Sequence, residues 1–312
     1  MDSMKVVIPG GSGFLGRSVA KQLVADGHEP VVITRSPRKA EWRQVAWDGK
    51  SIGDWEAEME GADAVLNLAG RSVNCRYNER NKAEIYASRL DSTRVIGEAI
   101  RAAKNPPPVW LNSSTATIYR HSEDRPMDEE TGEIGKGFSV DVAQKWEAEL
   151  ESAHTPQTRK IAMRSAMVMG PEPGGPFEPF YQLARKGLGG PMGGWRQMVS
   201  WIHIDDFYRA ILWLIEPDLP SSVNVCAQGS LTNRDFVGEV VKAVGAKIAL
   251  PTPRFAIEIG AFFMGTESEL PMKSRWVVPK KLLDSGFEFR FPLWPEAARD
   301  IVARIRGDKI AA

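Results

Sequence analysis

The chain has 312 residues, 43% of them hydrophobic, a formal net charge of +0 and two cysteines, Cys75 and Cys226. A zero net charge argues against nucleic-acid or acidic-membrane partners, and two cysteines make neither a disulfide framework nor a metal cluster, so no metal is expected. No apolar run reaches the roughly 18 residues of a spanning helix, and the N-terminus enters a strand directly; no signal peptide, no membrane span and a cytoplasmic location are expected.

The first element is the stretch Lys5–Gly16, KVVIPGGSGFLG. An apolar β-type triplet, Val6-Val7-Ile8, runs into Gly10, Gly11, Gly13 and Gly16, and an amphipathic run begins at Leu15. That is strand, glycine turn, helix. Glycine suits such a turn because it accepts positive φ and carries no Cβ to block a pyrophosphate. The helix start offers unpaired N–H groups and a positive dipole end to phosphates. Gly10, Ser12, Gly13, Phe14, Leu15 and Gly16 are therefore the expected phosphate-side contacts of a dinucleotide. Pro9 stands at the strand end and removes one backbone donor there.

Leu15–Asp26 reads as a helix closed by Gly27. Pro30–Thr34 is a second strand, followed by Arg35-Ser36-Pro37-Arg38. An NAD-selective site places a carboxylate at this strand end. Here two arginines, Arg35 and Arg38, flank a hydroxyl, and a guanidinium fork suits a 2′-phosphate. NADP(H) is the expected cofactor. Short strands follow at Val45–Trp47 and Ala64–Leu68, the latter running into Asn67-Leu68-Ala69-Gly70. These small residues allow an adenosine half to lie close to the backbone.

A long helical pattern covers Asn78–Lys104, and Val109–Ser113 is a fifth strand leading into Ser114-Thr115-Ala116-Thr117-Ile118-Tyr119. Val140–Ser152 is helical and Lys160–Arg164 is a sixth strand. Strands alternating with helices at this spacing predict an α/β fold, a Rossmann-type doubly wound parallel sheet. Its ligand site lies at the carboxyl edge of the strands. Residues 1–169 are read as the NADP-binding domain, with the sheet completed by later strands such as 222–226.

Residues 170–312 are read as a cover and a smaller, mainly helical C-terminal substrate region. Gly170–Gly194 is rich in Gly and Pro around one helix, Phe177–Lys186. Trp201, His203 and Asp205 alternate along an extended piece, so all three are expected to share a face. Trp201 and His203 are candidates for lining a substrate pocket, and Asp205 for capping the next helix. Thr232–Val244 is a helix with Thr232 as N-cap. Arg254–Met264 and Pro295–Arg306 are further helical segments.

GGSGFLG, NLAG, SSTATIY and a Lys145-containing helix, in this order, resemble the extended short-chain dehydrogenase/reductase superfamily. SRLDSTRVI (Ser88–Ile96), KWEAEL (Lys145–Leu150), GLGGPMGGWRQMVSWIHIDDF (Gly187–Phe207) and PKKLLDSGFEFRFP (Pro279–Pro292) narrow the likeness to the atypical YfcH-like group. That group carries labels such as "epimerase family protein" or "nucleoside-diphosphate-sugar epimerase" and has a small C-terminal domain of unknown function. The resemblance implies cofactor contacts at Thr34, Arg35, Leu68, Ala69, Glu84, Arg89 and Val168. It implies that Lys145 holds the nicotinamide ribose and that Thr115 takes the place of the superfamily serine.

Two places depart from the superfamily pattern: Arg89 stands before Ser92-Thr93, where the superfamily often has asparagine in a pattern ending Gly-Thr, and the other is in the helix of Lys145. The Tyr-x-x-x-Lys pair has Asp141 where tyrosine is usual, and an aspartate is normally ionised near neutral pH. Tyr119, four residues after Thr115, is a candidate substitute acid. Two functions stay open on the sequence. The first is an NADP(H)-dependent oxidoreductase or epimerase acting on a small polar carbonyl or sugar-nucleotide-like substrate. The second is a non-catalytic NADP(H)-binding sensor or scaffold. The sequence leaves the oligomeric state open.

Overall fold

The computed structural model describes residues 3–190, 195–216, 219, 221–247, 249–250 and 273–308. Seven strands form one all-parallel sheet. They are β1 (Lys5–Pro9), β2 (Glu29–Thr34), β3 (Arg43–Ala46), β4 (Ala64–Asn67), β5 (Val109–Thr115), β6 (Arg159–Ser165) and β10 (Ser222–Val225). Their spatial order is β10-β6-β5-β4-β1-β2-β3. The chain leaves β1 in one direction through β2 and β3, then returns to β4 on the other side. The switch point therefore lies between β1 and β4, where the glycine turn sits.

Helices cover both faces, as parallel crossovers require. Alternate strand residues divide between the two faces of the sheet. Val6, Ile8, Val32, Leu66 and Leu111 face α1 (Phe14–Ala25) and α5 (Ile204–Ile215), with Phe207, Ile211 and Leu214 buried among them. Val7, Val31, Ile33, Val65 and Trp110 face α2 (Glu79–Ala102) and α3 (Phe138–Ser152), against Val95, Ile96, Ile100 and Leu150. Each fully buried Val or Ile contributes about 1.5–3 kcal/mol relative to exposure. Burial on both faces explains why β1, β2 and β4 read as continuous apolar runs rather than alternating ones.

A second core joins α4 (Phe177–Arg185), α6 (Asn233–Val244) and the last helix, α8 (Trp294–Arg306). Phe236 stacks on Trp294 at 4.2 Å between ring centroids, and Trp294 meets Trp201 at 4.8 Å. Short strands stitch this part together. β7 (Met167–Met169) pairs in parallel with β9 (Trp201–His203), and β8 (Met198–Val199) pairs antiparallel with β11 (Leu231–Thr232). A five-residue helix, α7 (Lys280–Asp284), packs beside β10. Thr232 caps α6, as its position before the apolar run predicts: its hydroxyl accepts from the Asp235 N–H at 3.2 Å. The helix expected over 254–264 lies outside the described residues. No helix among the described residues is long and apolar enough to cross a membrane.

Candidate functional site at the carboxyl edge of the sheet

The turn after β1 is shaped by close backbone approach. Gly10 has φ +75°, and a Cβ there would lie 2.5 Å from the backbone of Ala69. Gly16 sits against Gly11, whose Cα would be 2.2 Å from an added Cβ. Gly10 donates to Ile33 O at 2.8 Å, and Leu68 donates to Pro9 O at 2.9 Å, so the β1, β2 and β4 ends are tied together. The missing N–H of Pro9 has a visible effect. The β1–β2 register runs through Pro9↔Ile33, while the β1–β4 register stops at Val7↔Val65.

Gly13 is different. A Cβ there meets nothing within 4 Å, so its absence leaves open space above the start of α1. No side chain caps α1 and no acidic residue occupies its first turn. Its first amides and dipole end therefore face outward uncompensated, which suits a phosphate. The Gly/Pro-rich loop closes over this point: Gly175 lies so close that a Cβ would be 2.9 Å from the Phe14 ring. Ser18 donates to Glu172 Oε1 at 3.0 Å and fixes that loop.

At the end of β2, the Thr34 hydroxyl accepts from the Ser36 N–H at 3.4 Å. Arg35 and Arg38 are exposed, and no ion pair engages either guanidinium among the described residues. Their charge is available to an anion.

Beneath the edge runs a buried polar network that the sequence did not signal. Asn67 donates to Asn112 Oδ1 at 2.6 Å and accepts from the Ala69 N–H at 3.0 Å. Trp146 Nε1 donates to the Thr93 hydroxyl at 3.0 Å. The network joins β4, β5, α2 and α3 and sets the backbone of Leu68 and Ala69. Each member is an ordinary polar residue in its own segment, so only its burial marks it.

Arg89 is brought to Gly70: a Cβ on Gly70 would lie 3.4 Å from the guanidinium carbon. The guanidinium donates to the carbonyls of Arg71 and Ile85, at 3.1 and 3.2 Å, and lies 5.0 Å from the Trp146 ring centroid. Burial pulls its pKa down to about 10, against a smaller opposing effect of Tyr77. Glu84, five residues earlier, stays at the surface, bonded to Arg71 and to Arg80. The two residues meet only through Arg71, consistent with their off-face spacing. Val168 packs its side chain into the sheet core on β7.

Thr115 ends β5, and its hydroxyl accepts from the Thr117 N–H at 3.1 Å. Lys145 and Asp141 pair across one turn of α3, with 2.8 Å between Nζ and Oδ2. The Tyr86 hydroxyl, from α2, donates to that same Oδ2. Lys145 Nζ lies 4.9 Å from the Tyr86 ring centroid. Tyr86 did not stand out in the sequence, because it lies mid-helix and 55 residues from Asp141.

Three expectations are corrected. Tyr119 is not placed as an acid: it is 1% exposed, and its hydroxyl donates to Asn224 at 2.9 Å while accepting from Arg164 at 3.0 Å. Arg164 in turn forms a two-pronged pair with Glu147, at 2.9 and 2.7 Å, so Tyr119 belongs to a closed buried network. Trp201 and His203 do not line a pocket, since both are 0% exposed. Trp201 Nε1 donates to Gly229 O at 2.9 Å, and His203 Nε2 lies 3.1 Å from Asp300 Oδ2. Ile202, on the other face of β9, is buried in the sheet core, so the strand is covered on both sides. The cap of α5 is His203 rather than Asp205: His203 Nδ1 accepts from the Asp205 N–H at 3.1 Å.

A cavity of about 440 Å³ opens beside α3, lined by Tyr119, Arg120, His121, Lys136, Val140 and Arg275 among others. Burial lowers Arg275 to about 10, and its Nε is buried with no hydrogen-bond partner among the described residues. Burial, and then Arg275, lowers Lys273 in the same wall. Among the described residues no cluster of His, Cys, Asp and Glu is arranged to hold a metal ion.

Residues 6–226 match the NAD dependent epimerase/dehydratase family, and residues 252–301 match a domain of unknown function, DUF1731. The chain is 31% identical over 307 residues to the Mus musculus epimerase family protein SDR39U1, covering 96% of this chain and 100% of that protein. It is 28% identical to the Bacillus subtilis epimerase family protein YfhF, over 92% of this chain and 94% of that protein. The crystal structure of human SDR39U1 (isoform 2) with NADPH superposes at TM-score 0.85 and 28% identity, covering 96% of this chain and 99% of that chain. The switch-point glycine turn lies within the longer of the two matched segments, and the chain belongs to the NAD dependent epimerase/dehydratase family, with DUF1731 at its C-terminal end.

Proposed function

We propose that this protein binds NADP(H) and acts as an oxidoreductase or epimerase on a small polar carbonyl or sugar-nucleotide-like substrate. The observation that carries the cofactor reading is the end of β2, where Arg35 and Arg38 stand without a carboxylate and without an ion pair among the described residues. A guanidinium there favours a 2′-phosphate over a free ribose hydroxyl. The human relative crystallised with NADPH supports the same choice. The open space at Gly13 and the uncapped start of α1 fit a pyrophosphate.

In this reading residues 1–169 hold the cofactor and residues 170–312 supply the cover and the substrate side. Thr34 and Arg35 meet the adenosine ribose phosphate, Leu68, Ala69 and Gly70 pass under the dinucleotide, and Lys145 holds the nicotinamide ribose. A bound nicotinamide supplies or accepts hydride. The cavity beside α3 carries Lys136, Lys273 and Arg275 together with Arg120, which is paired to Asp124 and to Glu133 of the same lining, a polar wall suited to a polar substrate. Two free cysteines, Cys75 and Cys226, fit a reducing compartment such as the cytoplasm.

The test is a pair of affinities. Calorimetry with NADPH and NADH on the wild type and on Arg35→Ala should show NADPH binding weakened at least tenfold and NADH binding little changed. Equal losses for both nucleotides sink the 2′-phosphate assignment. A screen of carbonyl compounds and sugar nucleotides then separates catalysis from the alternative of a non-catalytic NADP(H) sensor, which binds tightly and turns nothing over.

A further inference from the structure

The first two turns of α3 and the N-terminal half of α2 carry a constellation that the family pattern does not include. Both helices follow parallel strands, β5 and β4, so their starts lie at the carboxyl edge of the sheet. Asp141 lies in the first turn of α3 and Lys145 one turn on. Tyr86 reaches them from α2, one turn before Arg89, which already touches the Gly70 loop. The phenol and the ammonium converge on a single carboxylate oxygen, Oδ2 of Asp141. The other oxygen, Oδ1, has no hydrogen bond among the described residues. The side chains of Lys145 and Asp141 are 56% and 47% exposed, so the cluster is open to a ligand.

The ring of Tyr86 is fixed from two sides. It meets Phe138 edge-on, at 5.4 Å and 90°, and Lys145 Nζ lies over it. Phe138 is itself packed by Tyr77 at 4.7 Å, with Lys82 Nζ 5.8 Å from its centroid. The charged groups facing the phenol are thus Asp141 and Lys145, with Lys82 behind Phe138.

We infer that Tyr86 is the acid–base residue of this site, a phenol supplied from α2 in place of the tyrosine that α3 lacks, with Asp141 and Lys145 as its positioning residues. The inference rests on the NADP(H) oxidoreductase reading above. Asp141 cannot take the role itself: the Lys145 and then the Tyr86 hydrogen bonds hold its carboxyl below the usual range, so it carries no proton at neutral pH. Tyr86 does carry one, since burial and then Asp141 push it up to about 12. In reduction of a carbonyl, the carbon gains a hydride from the reduced nicotinamide as the C=O π bond breaks. The oxygen takes the Tyr86 proton, and the tyrosinate recovers a proton from water. Rotation about the phenol C–O bond is enough to turn the O–H from Asp141 to a substrate oxygen. Asp141 aims the hydroxyl before substrate arrives, and Lys145 stabilises the tyrosinate that follows.

The experiment uses the full chain labelled with ¹³Cζ-tyrosine, with Tyr86 assigned by the signal lost in Tyr86→Phe. NADP⁺ is titrated at neutral pH by NMR, and binding is measured on the same sample by calorimetry. The expected result is that the Tyr86 resonance moves with the calorimetric saturation curve and that Asp141→Asn shifts it in the free protein. Nucleotide binding with an unmoved Tyr86 resonance overturns this inference alone. Absence of nucleotide binding overturns the cofactor reading and the inference with it. With a turnover substrate, Tyr86→Phe should lower kcat by about 10²-fold or more while changing NADPH affinity less than threefold. The double variant Tyr86→Phe/Asp141→Tyr, which returns a phenol to α3, should recover part of that loss. Undiminished kcat in Tyr86→Phe also overturns the assignment.

Discussion

Asp205 and Arg304 form a two-pronged ion pair, with Nη1–Oδ1 and Nη2–Oδ2 distances of 2.8 and 2.6 Å, that ties the first turn of α5 to the last turn of α8. Arg304 also reaches Asp300 at 2.7 Å, and Asp300 meets buried His203. The pair therefore closes a polar chain between the parallel sheet and the second core.

This pair sets an acid limit on stability. Burial by itself would raise Asp205, but the Arg304 hydrogen bonds, and the charges of Arg304 and Arg290, hold its carboxyl below the ordinary value. A carboxyl depressed in the folded state adds stability above its unfolded value of about 3.9 and loses it as pH falls through the folded value. Asp205→Asn should destabilise the protein by about 2 kcal/mol at pH 7, discounted for the partial exposure of Arg304. Urea unfolding at pH 7, 5, 4 and 3 should show that difference shrinking below about pH 4. A difference independent of pH counts against the pair as its source.

The glycine turn predicts two opposite phenotypes. Gly13→Ala places its methyl in open space and leaves φ at −75°, so its stability should fall by less than about 1 kcal/mol. On the cofactor reading proposed above the methyl enters the phosphate space, and NADPH affinity should fall about tenfold, or about 1.4 kcal/mol. Gly10→Ala combines φ +75° with a 2.5 Å approach to Ala69, and should destabilise the fold by about 1–3 kcal/mol. Thermal unfolding and nucleotide titration of the two variants separate binding space from backbone need. Unchanged affinity in Gly13→Ala means the phosphates lie elsewhere.

Arg89 is a half-buried cation whose hydrogen bonds among the described residues go to carbonyls, with a tryptophan face beside it and no carboxylate. Replacing such a charge by an apolar side chain of similar length is neutral or stabilising. Arg89→Met should therefore keep the free energy of unfolding and weaken NADPH binding about tenfold, or about 1.4 kcal/mol. Urea unfolding and calorimetry measure both. A loss of stability with unchanged affinity would make Arg89 a structural residue of the α2–α3 contact.

Most of the sheet was legible because its signals are local. A strand buried on both faces must be apolar throughout, and a turn at positive φ or close backbone approach must be glycine. Lys5–Gly16, Ala64–Leu68 and Val109–Ser113 meet those needs within their own few residues. The strand at 222–226 was legible as a strand, and its parallel pairing with β6 completes the sheet. Trp201 and His203 misled for a physical reason. Alternation says that two side chains share a face; it does not say what lies against that face. Here it is α8, about a hundred residues later, whose Asp300 meets His203 and whose Trp294 meets Trp201.

The sequence by itself determined a parallel nucleotide-binding sheet, a turn with room for phosphates, an arginine-marked β2 end and an aspartate where a tyrosine is usual. These are properties of spacing, glycine stereochemistry and side-chain charge, which act over one or two turns. Only the tertiary structure decided which groups meet across the packed helices. It buried Tyr119 in the Arg164–Glu147 network, set Arg89 against Gly70 and carried the Tyr86 hydroxyl to Asp141. A hydrogen bond between residues 86 and 141 depends on how α2 and α3 pack on the sheet, and that packing is fixed by the buried side chains of Val95, Ile96, Ile100 and Leu150 and by no residue of the pair itself.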